Sequence, residues 1–283
     1  MTYWLSVAGL TDIGRERDLN EDRFYFKVVQ SSDEEPLGLF VVADGMGGHL
    51  AGEVASHWAV QALRRELVPL FRPQDPALTR RLDAEDLAMM GSGVTVRLEE
   101  TDLVRLLQHA VERANQVLLG YARKYPEQAG GMGSTLTLAV VQDLRATVVH
   151  VGDSRAYLWR DGELRQLTED HSVPGALLKQ GKIEPDEVYD HPHRNVLYRC
   201  LGLKPGVEVD HIPALDLRVG DGLLLCSDGL WDMIRPPDRL AALLAVGGSS
   251  PSAICRRLLD AANEAGGEDN ITVVWAQMES DHG

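Results

Sequence analysis

The apolar residues of this chain recur at two spacings, which alternate in groups along the sequence. Short, continuous runs rich in Val, Leu, Ile and aromatic residues are typical of β-strands. Such runs lie at residues 23–29, 39–43, 147–151, 223–226 and 271–275. Strand-like runs also dominate between residues 134 and 167, where Asp161 and Gly162 form a typical hairpin-turn dipeptide. The chain is therefore predicted to be rich in antiparallel strands.

Three other segments carry the signals of helices. Residues 51–70 and 102–125 repeat apolar positions at intervals of three and four, and Thr101 is the predicted N-cap of the second segment. Ser250 is followed by proline, which is favoured at the first helical position, and Gly266 is the stop signal of this third helix. Groups of strands followed by helices favour an α+β fold, in which two antiparallel sheets pack together with helices outside.

We expect one domain, over residues 1–280, because no linker rich in Pro, Ser or Gly divides the chain. Two segments within it fit neither spacing. Residues 72–100 are too long for a simple connection and are predicted to be a variable excursion. Residues 172–200 are predicted to form a flap. His191 and His193 lie in this flap without a third partner nearby, which favours solvated loop residues over metal ligands.

Composition excludes several classes of function. The chain has 28 basic and 43 acidic residues and a net charge of −15, which argues against general binding to nucleic acid or anionic membranes. Its three cysteines lie far apart without CxxC spacing, so neither a disulfide framework nor a zinc site is expected. The N-terminus lacks a basic signal region, and no apolar run reaches bilayer length. We expect a cytoplasmic monomer.

Acidic residues stand at the boundaries of five predicted strands. Asp44, Asp153 and Asp228 each follow a strand, and the acidic pairs at 21–22 and 268–269 each precede one. In antiparallel sheets the end of one strand lies beside the start of its neighbour, so all five boundaries can meet on one rim. Carboxylates gathered on such a rim repel one another unless they hold divalent cations.

Each of these acids also has an ordinary structural explanation. An Asp-Gly pair, such as Asp44 with Gly45 or Asp228 with Gly229, is usually a turn, and Asp153 equally fits a turn or a cap. Their recurrence at five strand boundaries is what favours a shared site. The ligands on offer are carboxylates, the Gly45 carbonyl and water, and these suit Mg²⁺ or Mn²⁺ better than zinc.

Arg17 is the guanidinium that the sequence places beside this predicted rim. It fits a surface salt bridge to Glu16 or Asp18, and it also fits a planar donor for phosphate oxygens. Two divalent cations about 4 Å apart, bridged by one carboxylate, can activate water and neutralise phosphate oxygens. The residues therefore favour phosphoester hydrolysis.

Six short motifs follow one another between residues 17 and 272. They are Arg17-x-x-Asn20-Glu21-Asp22, Asp44-Gly45-Met46-Gly47-Gly48-His49, Gly133-Ser134-Thr135, Gly152-Asp153-Ser154-Arg155-Ala156-Tyr157-Leu158, Ser227-Asp228-Gly229-Leu230 and Asp269-Asn270-Ile271-Thr272. In this order they resemble the bacterial branch of the type 2C metal-dependent protein phosphatases, over residues 5–275. The resemblance implies a four-layer αββα sandwich, with two antiparallel sheets packed face to face and flanked by helices. It also implies hydrolysis of phosphoserine and phosphothreonine in proteins by direct attack of a metal-bridging water.

The resemblance further implies a metal role for five residues. Asp44 bridges two cations, and Gly45 supplies a carbonyl oxygen to one of them. Asp228 and Asp269 complete the shell of the other cation. Asp153, together with Asp228, holds a third cation. Two or three Mn²⁺ or Mg²⁺ ions are therefore expected.

Other residues are expected around this metal core. By the same resemblance, Glu21 and Asp22 hold metal-bound waters or orient Arg17, which binds the substrate phosphate. Met46 stands where the animal branch has a histidine that acts as general acid, and a thioether cannot donate a proton. The proton then comes from metal-bound water or from His49, although a histidine in a glycine-rich loop also caps backbone groups.

Phosphorylated proteins are the expected partners, namely the substrates of a bacterial Ser/Thr kinase and the kinase itself. Two alternatives remain at this point. One is a metal phosphoesterase acting on nucleotides or small phosphates. The other is a catalytically silent relative that binds phosphoproteins, which is disfavoured because none of the proposed metal ligands is missing.

Overall fold

Two antiparallel sheets form the centre of the molecule. The computed structural model describes residues 3–31, 34–47, 51–71, 98–246 and 250–280. Within these residues the strands are β1 (Tyr3–Asp12), β2 (Asp22–Ser31), β3 (Glu34–Met46), β4 (Gly133–Ser134), β5 (Leu136–Gln142), β6 (Arg145–Val151), β7 (Arg155–Arg160), β8 (Glu163–Gln166), β9 (Asp210–Asp216), β10 (Gly222–Cys226) and β11 (Ile271–Ser280). One sheet has the order β1-β11-β10-β7-β8, and the other has the order β2-β3-β5-β6-β9 with β4 paired to β3.

Helices lie outside the two sheets. In the described residues they are α1 (Ala51–Leu67), α2 (Glu100–Lys124), α3 (Pro126–Ala129), α4 (Val173–Lys179), α5 (Asp228–Trp231), α6 (Pro237–Leu244) and α7 (Pro251–Glu264). Two short 3₁₀ helices lie at Val68–Phe71, directly after α1, and at Pro185–Val188. In the part of the chain that is described, no helix has the length and apolar character needed to cross a bilayer.

Three groups of buried side chains hold the layers together. The first joins α1 and α2 to one sheet, with Leu63 and Leu107 packed against the apolar side chains of β3 and β5. The second joins α7 to the other sheet, where Leu258 packs near Trp275. Phe40 and Leu225 belong to the third group, which fills the space between the sheets. The predicted four-layer αββα sandwich of two antiparallel sheets flanked by helices is confirmed.

The helix predictions differ from the structure mainly at their ends. The helix predicted over 51–70 ends at Leu67 and continues as a 3₁₀ turn. Thr101 is not the N-cap of α2, because the helix already begins at Glu100 and its cap position is Glu99. The start signal of α7 is confirmed, since the Ser250 hydroxyl accepts the Ala253 amide at 3.4 Å.

Strand β3 extends further than the apolar run predicts. Residues 39–43 were expected to form the whole strand, but β3 continues through Asp44 and Gly45 to Met46. Beyond Val42 its partner changes from β5 to the two-residue strand β4, where Gly45 pairs with Ser134. Polar and glycine residues therefore remain in the strand because a separate segment supplies their hydrogen bonds.

The remaining predictions concern turns and loops. Asp161 and Gly162 both have positive φ, 52° and 86°, and they connect β7 to β8 as the predicted hairpin turn. The predicted flap at 172–200 contains α4, whose N-terminus is capped because Ser172 Oγ accepts the Gly175 amide at 3.2 Å. Of the predicted excursion at 72–100, residues 72–97 lie outside the described residues.

Candidate active site

The two sheets bring the acidic strand boundaries together. Asp22 lies directly opposite Asp44 in the register of β2 and β3. Asp153 follows β6, and Asp228 begins α5 after β10. Asp269 precedes β11, which pairs with β10 so that the start of one strand lies beside the end of the other. Antiparallel pairing thus places all five strand boundaries at one end of the molecule.

Burial and mutual repulsion disfavour the ionised forms of these acids. Burial, followed by the charges of neighbouring aspartates, raises the pKa of Asp22 to about 8 and that of Asp228 to about 7. The same two causes raise the pKa of Asp44 and of Asp153 well above the ordinary value for aspartate. Asp228 and Asp269 both act on Asp44 and Asp22, so the carboxyl groups form one electrostatic cluster.

Unsatisfied oxygens in this cluster test whether it fits divalent cations. Glu21 Oε1, Asp22 Oδ1 and Asp228 Oδ1 are buried and have no hydrogen-bond partner among the described residues. Buried polar atoms are normally satisfied, so three orphaned acid oxygens in one place are suited to binding a cation. In the same residues no three histidine, cysteine or acidic side chains form a ready-made metal cage. The donor set fits hard cations, but it is not pre-arranged around them.

Ser227 connects the two sheets beneath the cluster. The sequence predicted no separate role for this serine. Ser227 Oγ donates to Asp22 Oδ2 at 2.6 Å and accepts the Thr272 amide at 2.9 Å. Asp22 is only 1% exposed, so it lies below the surface of the site. The hydroxyl of Ser227 therefore sets how closely the beginning of β2 approaches the end of β10.

The peptide groups of Asp44 are held by residues 134 and 135. Thr135 Oγ1 accepts the Asp44 amide at 3.0 Å, and the Asp44 carbonyl accepts the Thr135 amide at 2.8 Å. The Ser134 hydroxyl also lies 3.0 Å from that carbonyl. Gly152 packs against Thr135, since a Cβ there would lie 2.6 Å from Thr135 Cβ. The Gly-Ser-Thr motif thus fixes the backbone from which the Asp44 carboxylate projects.

The backbone of Asp153 is held by Trp231, which stacks against a buried ion pair. Trp231 Nε1 donates to the Asp153 carbonyl at 3.0 Å. The Arg155 guanidinium lies 3.6 Å from the Trp231 ring and binds both carboxylate oxygens of Asp170. Because Trp231 belongs to the same short helix as Asp228, this contact also links Asp153 to α5.

Arg17 does not form either of the surface salt bridges suggested by its neighbours in sequence. Its guanidinium donates to Asp269 Oδ2 at 2.5 Å, and its side chain remains 46% exposed. Asp228 and Glu21 also act electrostatically on Arg17, whereas the buried Asp22 pairs with Ser227 instead. The structure therefore brings Arg17 to the acidic cluster, with Glu21 rather than Asp22 beside it.

Asp232 is a further acid in this region that sequence reasoning missed. It follows Asp228 by four residues and accepts hydrogen bonds from Arg235, and its charge contributes to the raised pKa of Asp228 after burial and Asp269. Arg194 of the flap lies 3.6 Å from Asp232 and 3.6 Å from Glu268. The i, i+4 spacing of two aspartates is the signal that could have identified it.

The histidine predictions have different outcomes. His49, the possible proton donor, lies outside the described residues. The rings of His191 and His193 lie 5.8 Å apart, and the His193 amide donates to His191 Nδ1 at 3.1 Å. His193 is exposed, as predicted for a solvated flap residue, whereas His191 is half-buried. Met46 is half-buried at the end of β3, and its Cγ lies close to Gly133.

Comparisons with known proteins agree on one family. The model of the family "Protein phosphatase 2C" matches residues 14–250. A serine/threonine phosphatase, stp of Listeria innocua, is 36% identical over 267 residues, which cover 94% of this chain and 93% of the relative. The structure of Stp1 from Staphylococcus aureus, also a serine/threonine phosphatase, superposes with a TM-score of 0.79 at 30% identity, covering 98% of this chain and 96% of that one. The catalytic domain of the phosphatase PstP, solved in complex with two manganese ions, has a TM-score of 0.72 at 31% identity, covering 99% and 100%.

Proposed function

Because the chain belongs to the protein phosphatase 2C family, we propose that it hydrolyses phosphoserine and phosphothreonine monoesters in proteins. It is a metal-dependent enzyme of the phosphoric monoester hydrolase class. The observation that carries this proposal is the cluster of buried and half-buried acids beside Arg17, in which three acid oxygens lack a hydrogen-bond partner among the described residues. A cluster of acids next to a guanidinium suits a reaction in which cations and an arginine share the charge of a phosphate.

Five residues would hold the cations. Asp44 would bridge two of them, with the Gly45 carbonyl on one and with Asp228 and Asp269 on the other. Asp153, with Asp228, would hold a third. When bound, Mn²⁺ or Mg²⁺ supplies an activated water nucleophile and neutralises phosphate oxygens. The raised pKa values of Asp44, Asp153 and Asp228 support this assignment, because cations that displace shared protons also relieve the mutual repulsion.

Arg17 would bind the phosphate of the substrate. Its partner, Asp269 at 2.5 Å, is itself a proposed metal ligand. With Asp269 holding a cation, the planar donor face of Arg17 would be left for phosphate oxygens. Glu21 lies beside Arg17 and would orient it, while Asp22 would act from below through its hydrogen bond to Ser227.

Phosphorylated proteins are the substrate class that the proposal implies. We propose that they include the targets of a bacterial Ser/Thr kinase and the kinase itself. The net charge of −15 makes local contacts, rather than a general electrostatic attraction, the source of affinity for phosphoproteins.

The experiment compares, in the presence of Mn²⁺, the hydrolysis of a phosphothreonine peptide, an aryl phosphate and a nucleoside monophosphate. We expect turnover of the first two substrates, loss of all turnover with EDTA and recovery when Mn²⁺ is restored. Hydrolysis of the nucleotide in preference to the phosphopeptide would move the function to small phosphates. Absence of turnover, with Mn²⁺ binding demonstrated by calorimetry, would identify a catalytically silent protein.

A further inference from the structure

The loop that carries Arg17 is exposed and lacks regular secondary structure. Residues 13–21 connect β1 in one sheet to β2 in the other. Ile13 and Leu19 are 37% and 41% exposed, so apolar burial contributes little to ordering this loop. Holding an exposed loop in one conformation costs conformational entropy, which other contacts must offset.

One side chain binds the backbone at both ends of this loop. Asn270 Nδ2 donates to the Ile13 carbonyl and to the Leu19 carbonyl, each at 2.9 Å. Asn270 Oδ1 accepts the Glu21 amide at 2.7 Å. The side chain is buried, with only 4% of the residue exposed, and all three contacts go to the loop. Asn270 therefore closes the loop on both sides of Arg17.

Only an amide side chain provides this set of contacts. Two donors are needed for two carbonyl oxygens and one acceptor for an N–H group, which is the pattern of asparagine. Aspartate would turn an acceptor toward the carbonyls, and alanine would leave three backbone groups unpaired. The backbone of Asn270 is fixed separately, because its amide donates to Asp269 Oδ1 at 2.8 Å and its carbonyl packs against Gly229. The side chain can therefore be removed while the main chain retains its contacts.

We propose that Asn270 is the positioning residue of Arg17. By closing the loop it holds the guanidinium beside Asp269 and the acidic cluster, where the substrate phosphate would bind. Asn270 acts through the backbone of the loop and does not itself contact the substrate. This inference rests on the proposed role of Arg17 in phosphate binding.

A double-mutant cycle tests the proposal. Phosphopeptide hydrolysis is measured for the wild type, Asn270→Ala, Arg17→Ala and the double variant, at saturating Mn²⁺. We expect Asn270→Ala to lower kcat/KM by about tenfold or more, mainly through KM, because a displaced guanidinium binds phosphate poorly. In the Arg17→Ala background the same change is expected to lower kcat/KM by less than about twofold, since the effects of substitutions at coupled residues are not additive.

Two measurements that do not depend on turnover accompany the cycle. Hydrogen exchange of the metal-free protein is expected to accelerate at residues 13–21 in Asn270→Ala, with the largest acceleration at the Glu21 amide, which loses its acceptor. Mn²⁺ affinity by calorimetry is expected to stay within about twofold of wild type, because the backbone bond to Asp269 remains. If Asn270→Ala does not fold, Asn270→Ser is used in the same cycle.

Asn115 provides a matched control. It is also fully buried and closes another loop with both ends of its amide, through Gly202 at 2.8 Å and Lys204 at 3.0 Å. Asn115→Ala is expected to loosen that loop and to leave KM unchanged. A loss of activity in Asn270→Ala that is equally large in the Arg17→Ala background would overturn the positioning role. If Arg17→Ala leaves KM unchanged, the phosphate-binding role of Arg17 is wrong as well, whereas accelerated exchange at 13–21 would still show that Asn270 closes the loop.

Discussion

The hydroxyl oxygens of Thr135 and Ser154 lie 2.6 Å apart, and this contact joins the segment of Asp44 to the turn of Asp153. Thr135 Oγ1 also accepts the Asp44 amide at 3.0 Å, while Ser154 directly follows Asp153 in sequence. Both hydroxyls are fully buried. A single threonine thus fixes the distance between the backbones of two proposed metal ligands.

Thr135→Val is expected to weaken cation binding because it removes this connection while preserving shape. Loss of the buried hydrogen bonds should lower the free energy of unfolding by about 1–3 kcal/mol. Mn²⁺ affinity, measured by calorimetry well below the melting temperature, should fall by about 10- to 100-fold, as is usual for residues that support metal ligands.

Two further variants separate geometry from general destabilisation. Thr135→Ser keeps the hydroxyl and should restore Mn²⁺ affinity. Thr137→Val removes another buried threonine hydroxyl of the same segment, one that contacts His150 and the Ser154 carbonyl rather than Asp44. If Thr137→Val weakens Mn²⁺ binding as strongly as Thr135→Val, the contact with Asp44 is not the cause.

Asp228→Asn is expected to have opposite effects on activity and on metal-free stability. Loss of a cation ligand should lower kcat/KM by more than about 100-fold, beyond the effect of a supporting residue. Burial and Asp269 raise the pKa of Asp228 to about 7 from 3.8, so stability is lost as the pH rises from 3.8 to about 7 and the full penalty is present at pH 8. At pH 8 the metal-free variant should therefore melt a few degrees higher than wild type, and excess Mn²⁺ should stabilise it less.

Asp216→Asn is the control for the Asp228 variant, since the Asp216 side chain is 88% exposed. Scanning calorimetry with EDTA and with Mn²⁺ should give wild-type melting temperatures for it. Full activity in Asp228→Asn would contradict the metal assignment. A lower metal-free melting temperature would contradict the repulsion argument.

Local sequence was sufficient to locate the acidic rim because strand boundaries are local features. Asp153 and Asp269 stand next to apolar runs, and antiparallel pairing then brings the boundaries to one end of the sheets. The exception is Asp44, which lies inside β3, because this strand is extended by β4, in which Gly133 pairs with Met46 from 87 residues later in the chain.

Contacts across the fold were not predictable in the same way. Sequence placed Arg17 beside the acidic rim and left both a neighbouring acid and a phosphate open as its partner, but the partner in the structure, Asp269, is 252 residues away in sequence. Ser227 lies within a matched motif, yet its bond to Asp22 exists only because the two sheets pack together. Sequence patterns therefore identified residue types and boundaries, whereas tertiary packing selected the hydrogen-bond partners that hold them in place.

His150 is expected to make the protein less stable in mild acid. Burial, followed by the nearby His171, lowers the pKa of His150 to about 4 from 6.5, although Asp170 and Asp210 oppose this shift. The unfolded chain therefore takes up a proton at higher pH than the folded protein. Stability is full above pH 6.5 and is lost as the pH falls toward 4, by about 3 kcal/mol for this group alone.

Urea denaturation of metal-free protein at several pH values tests this expectation. The acids of the cluster titrate with the opposite sign, so the informative quantity is the difference between wild type and His150→Gln. Glutamine can still donate to the Glu169 carbonyl that His150 Nε2 binds at 3.1 Å. The free energy of unfolding of the variant should depend less steeply on pH between 6.5 and 4, and an unchanged slope would show that His150 does not titrate on unfolding.

Arg155→Ala is expected to be strongly destabilising because it leaves the buried carboxylate of Asp170 without its cationic partner. Arg155 and Asp170 are 5% and 8% exposed, and the guanidinium binds both oxygens of Asp170 while stacking on Trp231. Removing one member of such a pair typically costs about 3–5 kcal/mol in the free energy of unfolding, measured with urea.

Comparison with two other variants separates this pair from an ordinary ion pair. Lys179→Ala breaks an exposed bridge to Glu169, where the side chains are 66% and 60% exposed, and should leave the free energy of unfolding close to that of the wild type. The double variant Arg155→Met/Asp170→Leu removes both buried charges and should regain much of the stability lost in Arg155→Ala. If the double variant is as unstable as the single one, stacking on Trp231, and with it the support of the Asp153 carbonyl, is the larger contribution of Arg155.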